Sequence, residues 1–216
     1  MRRKIIFATG NEGKMREFRS ILADTGMEVL SMKEAGIEIE VKEDGSTFEE
    51  NAKIKAKAIA KACKEIVLAD DSGLEIDYLN KEPGVHSARY MGEDTSYRIK
   101  NQNLLQRMEG VPEEKRTARF VCAIAAAFPD GSLKTVSAAM EGMIGYEERG
   151  ENGFGYDPIF YLPKLGRSTA QLSMEEKNEA SHRGKALKKM KQILVDWLDK
   201  EGKKNTEASV GKGNRK

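Results

Sequence analysis

Two adjacent carboxylates, Asp70 and Asp71, follow a short apolar run in the middle of the chain. Residues 66–69 predict a buried strand, and Ser72 and Gly73 follow the carboxylates where open α/β sheets carry their sites. Because side chains alternate across an extended backbone, the two carboxylates are expected to face opposite sides and to differ in role. One would face a ligand or metal ion while the other supports the loop. A solvated turn is the structural alternative that these residue types also allow.

A second candidate for chemistry lies near the N-terminus, where residues 9–14 contain two glycines and end at Lys14. They follow a short predicted strand and precede apolar residues at helical spacing. A strand, a glycine-bearing loop and a helix N-terminus together present backbone N–H groups and a helix dipole to a phosphate. The pattern is not a Walker A motif, because Met15 follows the lysine. An ordinary turn between strand and helix is the alternative.

A lysine at an unexpected position strengthens the anion hypothesis. Thr47 and Glu50 predict a capping box, followed by a helix over residues 48–64. Lys55 falls near the middle of the apolar stripe of that helix. A lysine there must either extend its amine to solvent or meet an anion. The second interpretation is favoured because the next predicted strand leads into Asp70.

A third conspicuous loop spans residues 150–158 and contains three glycines. Phe154 and Tyr156 offer aromatic faces for stacking, and Asp157 is held extended by the proline after it. The loop is therefore a candidate platform for a base, and a plain hairpin loop is the alternative. Further along, a capping box at Ser173 predicts a helix start, and His182 lies close to it.

The rest of the chain predicts alternating strands and helices. Residues 27–41 predict a strand–loop–strand passage, and residues 95–108 a surface helix. Residues 120–128 predict a long buried strand with an antiparallel partner at 133–146. The Lys and Gly content of residues 202–216 predicts a basic disordered tail after a domain at residues 1–201.

Composition excludes several classes of protein. The 216 residues are 39% hydrophobic and 33% charged, which is typical of a soluble globular protein. The net charge of +2 does not indicate a nucleic-acid or membrane partner. Only Cys63 and Cys122 are present, and no apolar run approaches the length of a membrane span. No signal peptide is recognisable, so we expect a cytoplasmic protein in a reducing compartment.

Cations for phosphate, carboxylates for a divalent ion and aromatic rings for a base together suggest a nucleotide site. The chain resembles the inosine triphosphate pyrophosphatase (Ham1-like) family, whose members hydrolyse ITP, dITP and XTP to monophosphates. The matching motifs occur in the same order as in the family across about residues 4–198. They occupy residues 9–14, 47–52 with Lys55, 69–74, 83–90, 153–160 and 181–183.

The resemblance implies a role for each matching residue. Asp71 would be the general base, helped by Lys55 and Lys14, and Asp71 and Glu43 would hold Mg²⁺. Relatives often carry Glu-Glu where this chain has Lys42-Glu43, so Glu43 is assigned as the second metal carboxylate. Asp70 would be a structural neighbour or a second metal contact. Substrate binding is assigned to Thr9, Gly10, Asn11, Glu12, Gly13, Lys14, Ser72, Phe154, Gly155, Tyr156, Asp157, Lys177, His182 and Arg183.

The family also implies an α/β fold. It is elongated and two-lobed, with a long twisted mixed β-sheet flanked by helices, and its members are usually homodimers. Two alternatives stay open: a Maf-like pyrophosphatase acting on another modified nucleotide, and a non-catalytic nucleotide- or RNA-binding module. Near-neutral charge argues against the second, and no nucleic-acid partner is expected.

Overall fold

The computed structural model describes residues 3–213, without the side chains of residues 178, 180 and 202–213. In this part of the chain, seven strands are found: β1 (Lys4–Phe7), β2 (Glu28–Ser31), β3 (Ile66–Ile76), β4 (Thr117–Ala127), β5 (Leu133–Ile144), β6 (Phe160–Leu162) and β7 (Arg167–Ser168). The α-helices described are α1 (Glu12–Leu22), α2 (Phe48–Ala60), α3 (Tyr97–Arg107), α4 (Met174–Ala180) and α5 (His182–Gly213). No described helix has both the length and the apolarity that crossing a bilayer requires.

All seven strands belong to one mixed sheet in the order β2-β1-β3-β4-β5-β6-β7. β1 runs parallel to β2 and β3, whereas each pair from β3 to β7 is antiparallel. β3 is the central strand at which the parallel and antiparallel parts join. A mixed sheet flanked by helices confirms the predicted fold class.

Helices cover both faces of the sheet at β1 and β3. On one face α1 and α5 pack through Phe18, Leu22 and Leu187 against the even-numbered β3 residues Ile66 and Leu68. On the other face α2 packs through its apolar stripe against the odd-numbered β3 residues. A third cluster fills the antiparallel part of the molecule. Even-numbered side chains of β3 therefore lie on the α1/α5 face of the sheet, and odd-numbered side chains lie on the α2 face.

β3 is longer than its sequence indicates. The apolar run ends at Ala69, but the strand continues to Ile76. β4 supplies the reason, because its backbone pairs with β3 in register along ten residues, with Asp70 opposite Ile124 and Asp71 opposite Ala123. This ladder outweighs the local turn preference of Asp-Asp-Ser-Gly. The turn interpretation is therefore wrong, and the alternation prediction applies to both carboxylates.

Other boundaries also differ. Residues 37–41 alternate like a strand but form none, because no neighbouring strand pairs with them. α1 begins at Glu12, capped by the Asn11 side chain, so part of the predicted loop is the first helical turn. α2 ends at Ala60 rather than residue 64, and the Glu50 carboxylate accepts from Ser46 N–H instead of completing a box with Thr47.

The predicted boundary between a domain at residues 1–201 and a disordered tail at 202–216 stays a prediction. The backbone of α5 is helical to Gly213. Side chains from residue 202 onward and all of residues 214–216 lie outside the described part of the chain.

Candidate active site

The loops singled out from the sequence converge on one cleft of about 490 Å³. It lies against the middle of the sheet, between the N-terminus of α1, the acidic turn at residues 42–45, the loop at 150–158 and the start of α5. The predicted site residues that line it are Thr9, Gly10, Asn11, Lys14, Glu43, Lys55, Ser72, Phe154, Gly155, Tyr156, Asp157, Lys177, His182 and Arg183.

Asp70 is fully buried on the α1/α5 face of the sheet. Lys14 Nζ lies 3.0 Å from Oδ1 and 2.8 Å from Oδ2, and Arg183 Nε lies 3.6 Å from Oδ2. Burial alone would raise the pKa of Asp70, but Lys14, Arg183 and Lys55 together outweigh it and hold that pKa well below its usual range. Asp70 is therefore a permanent anion that orients two cations toward the cleft.

The cations beside Asp70 come from two helix N-termini. Lys14 lies in the first turn of α1, where its backbone N–H is capped by Asn11. Arg183 is the second residue of α5; its Nη1 donates to Glu17 Oε2 at 2.6 Å and its Nη2 to Ser72 Oγ at 3.2 Å. Two helix dipoles thus add to the positive charge of the side chains at this end of the cleft.

Asp71 lies on the opposite face of β3, toward α2. Asn51 Nδ2 donates to Asp71 Oδ2 at 2.9 Å, and Ser72 N–H donates to Oδ1 at 2.9 Å. Burial raises the pKa of Asp71, and the nearby Glu43 carboxylate adds to the rise, while Asn51 and Lys55 oppose it. Adjacent residues of one strand thus have pKa values shifted in opposite directions, as expected of groups with different roles.

Lys55 connects the acidic turn to the sheet. Its Nζ lies 2.9 Å from Glu43 Oε1 and donates to the backbone carbonyl of Asp70 at 3.0 Å. The prediction that this lysine meets an anion is therefore correct. The arrangement places one ammonium group beside two carboxylates, Glu43 and Asp71, that repel each other.

A buried ion pair shapes the loop at 150–158, which also lines the cleft. Lys177 Nζ lies 2.5 Å from Asp157 Oδ2, which also accepts from Phe154 N–H at 2.8 Å. Thr169 Oγ1 donates to Asp157 Oδ1 at 2.9 Å. Gly153 adopts φ +78°, and a Cβ there would approach Asp157 Oδ2 to 2.2 Å, so only glycine fits the loop at that position.

Phe154 presents its ring beside these cations. Lys177 Nζ lies 4.7 Å and Arg183 Cζ 5.5 Å from the ring centroid. The ring remains 38% exposed and borders Gly13, where a Cβ would lie 3.4 Å from it. A partly exposed aromatic ring with two cations over it provides stacking and cation–π surface for a flat heterocycle.

His182 is buried rather than exposed, stacked on Phe120 with ring centroids 5.0 Å apart. Burial lowers its pKa well below 6.5, and Arg183 and Lys177 lower it further, so the ring is neutral. Within the described part of the chain, its Nδ1 has no hydrogen-bond partner. A neutral imidazole edge with free hydrogen-bonding capacity thus lines the cleft.

Three predicted site residues do not line the cleft. Glu12 is exposed in the first turn of α1, Gly13 lies next to Phe154, and the half-buried Asp71 directly precedes the lining residue Ser72. Their assigned roles stay predictions. Sequence reasoning also missed Glu17 and Asn51, the buried partners of Arg183 and Asp71. Asn51 lies inside the quoted segment 47–52, whereas Glu17 had no local signal.

Comparisons with known proteins identify close relatives of this chain. A family model described as the Ham1 family matches residues 5–193. Curated proteins named dITP/XTP pyrophosphatase are 49% identical in Exiguobacterium sibiricum, over 90% of this chain and 98% of the relative, and 48% identical in Bacillus subtilis, over 89% and 97%. The solved structure of the Staphylococcus aureus Ham1 protein matches with a TM-score of 0.82 and 43% identity, covering 90% of this chain and 99% of that one.

Proposed function

Because this chain belongs to the Ham1 family, we propose that it hydrolyses nucleoside triphosphates as a dITP/XTP pyrophosphatase. Its substrates are ITP, dITP and XTP, and its products are the nucleoside monophosphate and pyrophosphate. One observation carries the proposal: a single cleft is lined both by the cations Lys14 and Lys55 and by the aromatic ring of Phe154 with Lys177 and His182. Such a cleft matches a triphosphate joined to a base.

Base selectivity follows from the hydrogen-bond donors beside Phe154. A lysine ammonium has donors only, and Asp157 fixes the position of Lys177 Nζ. A 6-oxo group, which hypoxanthine and xanthine share, would accept from it. The 6-amino group of adenine would face it donor to donor, and each buried unpaired group costs about 1–3 kcal/mol. The pocket therefore favours deaminated purines over adenine.

Magnesium fits beside Glu43 and Asp71. No cluster of three or more His, Cys, Asp and Glu side chains suited to a metal is present among the described residues. Glu43 and Asp71 instead offer two carboxylates; burial raises the pKa of Asp71, and repulsion from Glu43 adds to the rise. Mg²⁺ is commonly held by one or two carboxylates plus substrate phosphates. When bound there, it would neutralise phosphate charge and orient the triphosphate.

In the proposed reaction, Asp71 accepts a proton from a water molecule whose oxygen attacks the α-phosphorus. The bond between the α-phosphorus and the bridging oxygen breaks, and pyrophosphate leaves with that oxygen. Lys14 and Lys55 stabilise the negative charge that develops on the phosphate oxygens. Asp70 does not exchange protons, since its pKa is held low; it keeps Lys14 and Arg183 in position.

The protein is further proposed to act in the cytoplasm as a homodimer. Both statements rest on its composition and on the resemblance described above, with no nucleic-acid partner expected.

A substrate panel tests the proposal. Pyrophosphate release is measured with ITP, dITP, XTP, GTP, ATP and modified pyrimidine triphosphates, each with Mg²⁺ and with EDTA. The proposal predicts release from the first three, at least tenfold less from ATP, and none with EDTA. Preference for a modified pyrimidine would instead support a Maf-like activity, and tight RNA binding without hydrolysis would support a binding module.

A further inference from the structure

The acidic turn at residues 42–45 lacks the support that a metal-binding element needs. Among the described residues, those from 38 to 45 form no backbone–backbone hydrogen bond with any part of the molecule. Glu43 is therefore not held by a sheet or helix, unlike Asp71, which lies in the middle of β3. Side chains must fix the position of the turn.

Asn51 provides that support and is 1% exposed. Its Oδ1 accepts from Gly45 N–H at 2.8 Å, and its Nδ2 donates to Asp71 Oδ2 at 2.9 Å. One short side chain thus spans the turn that carries Glu43 and the strand that carries Asp71. Both polar atoms of the amide are used, so the side chain has a single allowed orientation.

The turn is also pressed closely against Asn51. A Cβ at Gly45 would lie 2.8 Å from Asn51 Oδ1 and 3.0 Å from its backbone nitrogen. Glycine at this position lets the turn approach the first turn of α2. Arg89 gives a weaker second contact, as its Nη2 donates to the Glu43 carbonyl at 3.3 Å.

We propose that Asn51 is a positioning residue that fixes the spacing of Glu43 and Asp71, and thereby the affinity of the cleft for a divalent cation. The inference rests on the proposed function, because it assumes that these two carboxylates share a cation. Lys55 pairs with Glu43 when no cation is bound, which leaves Asn51 to hold the backbone of the turn. Replacing a side chain that orients a metal ligand typically lowers metal affinity or activity by about 10- to 100-fold.

Asn51→Ala tests the proposal, with Asn103→Ala as the matched control. Asn103 is a half-buried asparagine of α3 whose Oδ1 accepts from Tyr90 Oη at 2.7 Å, a partner outside both the acidic turn and β3. Two quantities are measured: the Mg²⁺ concentration for half-maximal pyrophosphate release, and the Kd for Mn²⁺ of nucleotide-free protein by electron paramagnetic resonance. Both should rise at least tenfold in Asn51→Ala and less than twofold in the control, and excess Mg²⁺ should restore much of the activity. Unchanged metal constants in folded Asn51→Ala would overturn the proposal.

A measurement on the unmodified protein decides the matter even if Asn51→Ala fails to fold. The Gly45 amide should exchange with solvent at least tenfold more slowly than expected for an unprotected glycine, and more slowly again with Mn²⁺ bound. Unprotected exchange would show that Asn51 does not hold the turn. Neither this readout nor Mn²⁺ binding requires turnover, so absence of pyrophosphatase activity would defeat the proposed function alone.

Discussion

Replacing Asp70 and Asp71 one at a time should separate a structural carboxylate from a catalytic one. Asp70→Asn leaves Lys14 and the buried Arg183 without the anion between them. Removing one partner of a buried ion pair typically costs about 3–5 kcal/mol. That is a large part of the 5–15 kcal/mol that stabilises an ordinary domain. At about 2–4 °C per kcal/mol for a chain of this size, the melting temperature should fall by about 6–20 °C.

Asp71→Asn should cost less. Asp71 accepts from both Asn51 Nδ2 and Ser72 N–H, and the substitution turns one of these two acceptors into a donor, which costs about 1–3 kcal/mol. The loss is offset because burial already disfavours the ionised carboxylate at this position. Turnover should nevertheless fall by about 10²- to 10⁴-fold if Asp71 is the general base, whereas nucleotide binding should be retained.

The pH dependence provides the control for this pair. The pKa of Asp70 is lowered in the folded protein, so its stabilisation is fully present above the unfolded value of 3.8 and is lost as the pH falls below it. The free energy of unfolding, measured with urea between pH 3 and 7, should therefore differ most between wild type and Asp70→Asn above pH 4. Equal losses for the two variants, or a loss under 1 kcal/mol for Asp70→Asn, would refute the reasoning.

Three further outcomes are expected. Phe154→Ala should raise KM for ITP about tenfold or more with a smaller change in kcat, because base–aromatic stacking is worth about 1–3 kcal/mol. Steady-state kinetics check this, with Phe154→Tyr, which keeps an aromatic ring, as the control. His182 stays neutral in the folded protein, whereas in the unfolded chain it is protonated as the pH falls below 6.5. The free energy of unfolding should therefore decrease there by up to about 1.4 kcal/mol per pH unit. In His182→Gln, the free energy of unfolding measured with urea should depend less on pH in this range. Gly73→Ala should lower soluble yield and melting temperature, since its Cβ would lie 2.6 Å from the Gly84 carbonyl oxygen, and a melting temperature equal to wild type would contradict that contact.

The fold was predictable where a local pattern and a long-range partner agree. β4 contains a long apolar run and is followed by a tight connection, and it pairs with β5 as expected. Residues 37–41 have the alternation of a strand but no partner, and Ile39 and Val41 line the cleft instead. β3 shows the opposite case, because pairing with β4 extends it through residues whose local preference is a turn. Partners distant in the sequence decided both outcomes.

The site was predictable from isolated anomalies more than from any single motif. Lys55, placed on an apolar stripe, indicated an anion that the structure identifies as Glu43. Alternation along an extended strand correctly placed Asp70 and Asp71 on opposite faces of the sheet. Glu17 could not have been found, because its partner Arg183 is 166 residues away and no local pattern connects them.

Hydrolysis of ITP in ¹⁸O-labelled water tests the central claim most directly. Attack of water on the α-phosphorus places the label in the nucleoside monophosphate, and phosphorus NMR distinguishes labelled from unlabelled products. The account predicts one ¹⁸O in inosine monophosphate, unlabelled pyrophosphate, and loss of both products in Asp71→Asn. Label in pyrophosphate, or release of orthophosphate and inosine diphosphate, would contradict it.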